Sequence, residues 1–296
     1  MSANRHKSLV GIKAGGAESG ASVSEPLSSW ATSNYPTKKR TSIYHQLGRS
    51  TNDPLTEVVH PMNLTTEVEH AANALTSWIG SVYIEVEALS RDVATRLEGS
   101  LLGKSKIDKN ALVGLEEFSR EFLERNTFAV GAGVFFATKY VQEGSRAVEW
   151  WTRQEPGVIG RLDCDLTPGS KRYYDYEKLP FFSTAAATGE RTLWGPYVDY
   201  LGFEEYVVTI AVPFSVDGNF MGVAGCDIRI KDLEPLLMPN LRSIPSNAAL
   251  VNASNRVVLG NSGMYLAGER IKSESPDLHR MALDAPHLGL SLIYTT

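Results

Sequence analysis

Two aspartates occupy places where apolar residues would be expected in WGPYVDYLGFEEYVVTIAVPFSVDGNFMGVAGCDIRI, residues 194–230. Asp199 closes a Pro-Tyr-Val-Asp segment, and Asp227 interrupts an uncharged run with the character of a strand. A carboxylate taken out of water is costly unless it is hydrogen-bonded, paired or met by a cation. Asp227 therefore reads either as an acceptor that caps a loop or as a ligand-binding group, and Asp199 either as a turn residue or as its companion. A second pair, Asp163 and Asp165 in RLDCDL, has the spacing of carboxylates for acid/base work but reads better as a solvated strand edge. The six histidines, at 6, 45, 60, 70, 279 and 287, show no metal-ligand spacing. No nucleophile elbow, P-loop or dinucleotide fingerprint is present. The expectation is a binding protein with no catalytic residues, no cofactor and no metal.

Composition narrows the partners. A net charge of −5 and a pI near 5.8 leave no general basic field for nucleic acid or anionic lipid. Lys38-Lys39-Arg40 is a compact basic run within a polar stretch and reads as solvated charge. Cys164 and Cys226 are too few for a disulfide framework. With no signal-peptide core and no membrane-length apolar run, the expected location is cytoplasmic, without membrane contact.

The elements that must position the acids begin after a polar N-terminal tail, residues 1–60. Thr66 and Glu69 form a capping-box pattern, and Val68, Ala72, Leu75, Ile79, Val82, Val86, Leu89, Val93 and Leu97 recur at helical spacing. This predicts one long amphipathic helix, with its stripe either in a dimer seam or across a sheet. A shorter helix follows, with Asp108 as its cap. Strands are expected over 128–137 and 147–152, a helix over 180–188, a hairpin turning at Asp217-Gly218, a connecting helix over 231–237, a second hairpin over 248–259 and a last strand over 288–296. Counting back from the Asp217-Gly218 turn pairs Val212 with Val223, Ile210 with Gly225 and Val208 with Asp227. That register puts Thr209, Ala211, Gly222, Ala224 and Cys226 toward the long helix. Asp227 falls on the other face, beside open space at Gly225. Trp150 and Trp151 must point to opposite faces of their strand, so one of them can wall a pocket there.

The order of long helix, strands, YYDYEKLPFF, WGPYVDY, VVTIAVPF, DGNFMGVAGCDI, connecting helix and small αβ tail resembles the double-Cache sensor domains. The resemblance covers residues 60–296 and implies an α+β fold, a long helix carrying two PAS-like antiparallel sheets of which the first is larger. It divides the chain into helices over 61–126, a larger ligand-binding subdomain over 127–237 and a smaller one over 238–296. Amine- and amino-acid-binding members use a tyrosine, an Arg-x-Trp unit, a Tyr-x-Asp and a strand aspartate. Here these fall on Tyr174, Phe181 in place of the tryptophan, Tyr197 with Asp199, and Asp227, with Trp151 and Trp194 as further walls. The carboxylate-clamping arginine falls on Leu179. Two carboxylates and aromatic faces suit an ammonium, whereas a carboxylate needs a fork of donors that Leu179 lacks. Lys171, Arg172 or Lys178 could substitute. The resemblance thus implies a soluble sensor for a small amine or amino-acid-like ligand, reporting to an unknown protein signalling partner. The alternative is a dimerising interaction module with a vestigial pocket, its homodimer running through the long helix.

Overall fold

The computed structural model describes residues 63–101, 104–154, 157–199, 205–271 and 276–296. The polar segment expected over 1–60 lies outside them. The first helix, α1 (Leu64–Ser100), starts ahead of the expected capping box. Asn63 is its N-cap, in extended conformation, and the Asn63 carbonyl accepts from Thr66 N at 2.8 Å. Asn is as good a cap as Thr, so the earlier position gains the extra turn.

Every residue of the predicted stripe is buried. They pack against β5 (Tyr206–Val216), β6 (Asn219–Arg229), α2 (Leu115–Arg125) and α4 (Ile230–Arg242) of the same chain. Of the two expectations for this stripe, the intramolecular one holds. Val82 and Leu89 are 1% and 3% exposed, so a dimer seam made of them is not available, and any pairing along α1 has to use the face of Ile84, which is 63% exposed. Asp108 does not cap α2. Its Oδ1 accepts from Asn110 N and Ala111 N, each at 3.0 Å, and so closes the turn before the helix.

The larger sheet contains β1 (Gly131–Phe136), β2 (Val148–Arg153), β3 (Ile159–Arg161) and β4 (Thr192–Val198) together with β5 and β6. Their order is β3-β2-β1-β6-β5-β4, and all neighbours run antiparallel. α1 covers one face. The other carries α3 (Pro180–Thr188) and the turn before it. The smaller sheet is ordered β8-β7-β10-β9, from β7 (Ala248–Val251), β8 (Val257–Gly260), β9 (Leu278–Ala282) and β10 (Ser291–Thr295). β9 was not anticipated. It is an edge strand whose sequence LHRMA is mostly solvent-facing, so it carries no apolar alternation to read. One apolar core joins α1, the inner face of the larger sheet, α4 and one face of the smaller sheet. The fold is α+β, a long helix with two antiparallel sheets, the first larger.

The β5–β6 turn lies where expected, with Asp217 at φ 51° and Gly218 at φ 75°. The register beyond it does not. A bulge at Phe214/Ser215 shifts the pairing by one residue, so Thr209 rather than Val208 faces Asp227, and Ala211 faces Gly225. β5 therefore turns Val208, Ile210, Val212 and Phe214 toward α1 and gives Thr209 and Ala211 to the opposite face. The expected open space at Gly225 is also absent. A Cβ there would stand 2.6 Å from the Ile210 carbonyl oxygen, so this glycine marks a close approach of backbones.

Candidate functional site

Strand pairing aligns Thr152, Gly131, Asp227, Thr209 and Trp194 in one row across β2, β1, β6, β5 and β4. Directly opposed residues share a face, and this one is turned away from α1. Thr209 Oγ1 donates to Asp227 Oδ1 at 2.6 Å, and the Tyr197 hydroxyl lies 2.8 Å from Thr209 Oγ1. Threonine has one hydroxyl proton to give. While Asp227 is ionised, the chain therefore runs from Tyr197 to Thr209 to the carboxylate.

Tyr197 reaches this chain because β4 is irregular. Trp194 pairs with Thr209 while Tyr197 pairs with Val207, which leaves one extra residue in β4. In a regular strand, residues three apart point to opposite faces. The bulge restores them to one face, where their rings stack at 3.8 Å and 22°. Gly195 makes this possible at φ 124°, since a Cβ there would meet the Val207 carbonyl oxygen at 2.6 Å.

Tyr174 comes from the loop before α3. Its N–H donates to the Asp165 carbonyl at 2.8 Å, while the Asp165 carboxylate accepts from Thr167 N at 2.9 Å and from Ser170 Oγ. These hydrogen bonds hold Asp165 below the ordinary carboxylate range. It acts as a loop staple and sets where Tyr174 emerges. Burial raises the Tyr174 phenol, and Asp227 and then Asp199 raise it further. The Tyr197 phenol is raised by burial and by Asp227, against the Thr209 hydrogen bond. The two tyrosines and two aspartates thus act on one another within one neighbourhood. Asp199 follows the end of β4, with its N–H donating to the Glu205 carbonyl at 3.0 Å.

Asp227 is the most perturbed acid described. Burial pushes its carboxyl up to about 7, the Thr209 hydrogen bond opposes this, and Asp199 adds to it. Yet Asp227 keeps some accessible surface. The carboxyl is thus desolvated by its surroundings although part of the residue stays accessible. No described cation is among the groups acting on it.

The aromatic walls need one correction. Trp150, not Trp151, lies on the site's face, packed on Phe135 with ring centroids 4.9 Å apart. Trp151 belongs to the α1 side of the core. The row Trp150–Gly133–Gly225 is parallel to the Asp227 row, and strand parity then sends Trp151 the other way. Phe181 is 2% exposed and packs 5.1 Å from Phe135 and 6.0 Å from Trp194, which puts it in the floor of the aromatic cluster. Leu179 packs against the same cluster. The cations considered as its substitutes are drawn elsewhere. Lys178 pairs with Asp175 at 2.6 Å, Arg172 lines a different cavity with Asp163 and Asp165, and Lys171 is exposed.

Thr209 is the residue that sequence reasoning missed. Its signal was available in β5 itself, where Val208, Ile210, Val212 and Phe214 form the bulky alternation that belongs against α1. Both cysteines are free, Cys226 in the α1-side core and Cys164 against the aromatic cluster. Among the described residues no group of His, Cys, Asp and Glu could hold a metal, and no helix is long and apolar enough to cross a membrane.

Residues 115–235 match the family described as methyl-accepting chemotaxis protein-like, first PDC sensor domain. Solved structures extend the likeness to most of the chain. The extracellular domain of a protein described as a histidine kinase, soHK1S-Z6, aligns with TM-score 0.55 and 16% identity over 79% of this chain and 92% of its own. A methyl-accepting chemotaxis protein X aligns with 0.54 and 14% over 79% and 96%. The sensory domain of the Campylobacter jejuni chemoreceptor Tlp3 gives 0.53 and 14% over 79% and 91%. Residues 115–235 thus match a first PDC sensor domain, and the described chain shares the fold of these extracellular and sensory domains, a long helix with two antiparallel sheets.

Proposed function

We propose that the first subdomain binds a small amine, or an amino-acid-like ligand held chiefly by its ammonium group, and that the chain reports its occupancy to a protein partner. One observation carries this reading. Asp199 acts on Asp227, both act on the phenols of Tyr174 and Tyr197, and no described cation is among the groups acting on Asp227. An ammonium supplies the missing charge and three donors, and Tyr174, Tyr197 and Trp194 offer hydroxyls and ring faces for the remaining valences. Leu179, an apolar residue packed in the aromatic cluster, offers nothing to a carboxylate. Amines without a carboxylate should therefore bind at least as well as the matching α-amino acids.

The ligand's charge also sets a pH rule. An ammonium favours the ionised form of Asp227, whose carboxyl in the empty site sits at about 7. Binding then releases a proton on the acid side of that value, and affinity rises with pH through it until the amine itself loses its charge. A thermal-shift panel of primary, quaternary and polyvalent amines beside their amino-acid counterparts tests the reading, because a ligand that binds only the folded state raises its apparent stability. The expected result is stabilisation by amines that disappears in Asp227→Asn and Asp199→Asn. No stabilisation by any amine in folded wild-type protein would sink it.

A further inference from the structure

A second recess lies where the two sheets meet, and its chemistry is opposite to that of the Asp227 site. Trp194, Pro196 and Tyr206 of the larger sheet face Ser254, Arg256 and Arg270 of the smaller subdomain across a cleft of about 490 Å³. The described residues that line it include two arginines and no acid. Among the described residues Arg120, Arg125, Arg146, Arg191 and Arg229 form ion pairs with carboxylates, and the other arginines do not. Neither Arg256 nor Arg270 is so paired. Arg270 also lines a neighbouring cavity with Glu269 and Asp277, without an ion pair to either.

The cleft is built rather than incidental. Asn252 Nδ2 donates to the Gly195 carbonyl of the β4 bulge at 2.6 Å. Its Oδ1 accepts from Ser254 N and Arg256 N, each at 2.9 Å, so one side chain ties the β7–β8 turn to the site-bearing strand. Arg256 Nη1 donates to the Gly268 carbonyl, which fixes one side of its guanidinium. Gly268 in turn lies under the Tyr206 ring, where a Cβ would meet ring carbon at 2.6 Å. Guanidinium groups not engaged in an ion pair match the two oxygens of a carboxylate, and each presents its donors in a fixed fork. The indole, proline and phenol opposite supply flat apolar faces.

From this arrangement we infer that the cleft is a binding site for a small organic carboxylate with a flat apolar body, held by Arg256 and Arg270 and sandwiched against Trp194 and Tyr206. The cleft shares the Trp194 and Tyr197 rings with the amine site, but its charge comes from Arg256 and Arg270 and not from the two aspartates.

Benzoate is the probe, with neutral benzamide as isosteric control and inorganic phosphate as a plain anion, each titrated calorimetrically into wild type, Arg270→Gln, Arg256→Lys and Asp227→Asn. Arg270 is exposed, so its replacement leaves the fold intact, and Arg256→Lys keeps the charge while losing the fork. Benzoate should bind wild type and Asp227→Asn alike and weaken about tenfold or more in Arg270→Gln, the loss of a charge-assisted hydrogen bond, with Arg256→Lys weakened as well. Benzamide should not compete. Absence of benzoate binding to folded wild type, equal binding of benzamide or phosphate, or an unchanged affinity in Arg270→Gln would each overturn the assignment. Amine stabilisation measured on the same Arg270→Gln protein reports on the amine site separately, so failure of one site is not read as failure of the other.

Discussion

The two faces of the larger sheet are both covered by protein, yet they hold opposite kinds of side chain. Against α1, β5 and β6 present Val208, Ile210, Val212, Phe214, Ala224, Cys226 and Ile228, an apolar surface whose role is complete once water is excluded. Against α3, the same strands present Thr209, Ala211, Val223 and Asp227, and the neighbouring walls are rings with hydroxyls. The α1 face contributes stability. The other gives some up, because Asp227 holds a charge that its surroundings disfavour. That asymmetry is the one the proposed reading requires, since a face kept for a ligand gives up stability that a purely packed face retains.

The comparison breaks most readily on the packing face. Leu75→Ala removes a fully buried α1 side chain and should destabilise by about 2–5 kcal/mol, measured by denaturant unfolding, while changing amine affinity little in whatever fraction stays folded. On the binding face Asp227→Asn should do the reverse, abolishing amine binding while leaving stability equal or higher near pH 8. The sign follows from linkage. The folded carboxyl titrates at about 7 against an ordinary value of 3.8, so between those values the folded state holds more protons than the unfolded one, and wild-type stability falls as pH rises across the window. What Asp227 contributes is fully present below about pH 4 and gone above about pH 7. Relative to Asp227→Asn, wild type should therefore lose on the order of 1–3 kcal/mol between pH 4 and pH 8. A difference between the two proteins that does not change with pH would show that the carboxyl is not enclosed.

Smaller effects sharpen the picture. Thr209→Val keeps the shape of the strand but takes the donor from Asp227 and the acceptor from Tyr197, and it should raise the apparent titration point of Asp227 further. The expected cost is about 1–2 kcal/mol at pH 8, shrinking at pH 5 where the carboxyl is protonated. Asn252→Ala removes the donor to the buried Gly195 carbonyl and the acceptor for Ser254 N and Arg256 N, and should cost about 1–2 kcal/mol. Its informative readout is amine affinity, because Trp194 and Tyr197 depend on that bulge for their common face.

Much of this was legible from residue order. The long stripe of α1, the helix at Pro180–Thr188 and the turn at Asp217-Gly218 follow from periodicity, a proline at the first helical position and a two-residue turn that accepts positive φ. The two acids could be singled out because charged positions in an apolar setting are visible without coordinates, and Leu179 because the resemblance places the clamping arginine at its position. Register was not legible past the first bulge, because one extra residue in β6 inverts which face every later β5 side chain occupies, and nothing in a local window fixes it. The choice between Trp150 and Trp151 failed for the same reason, since strand parity gives alternation but not its origin.

The sequence by itself thus determined that two acids and their aromatic neighbours must be accounted for, that the long helix has one buried face, and that no carboxylate clamp stands at position 179. Tertiary structure alone decided that Thr209 is the acid's hydrogen-bond donor, that a bulge at Gly195 puts Trp194 and Tyr197 side by side, and that Arg256 and Arg270, bridged to each other in the smaller subdomain, line a cleft with Trp194 and Tyr206. The physical reason is one of range. Helical and strand periodicities are local and are written in residue types, whereas bulges, cross-strand rows and clefts between sheets depend on pairings between residues far apart in the chain, where a shift of one position changes the chemistry of an entire face.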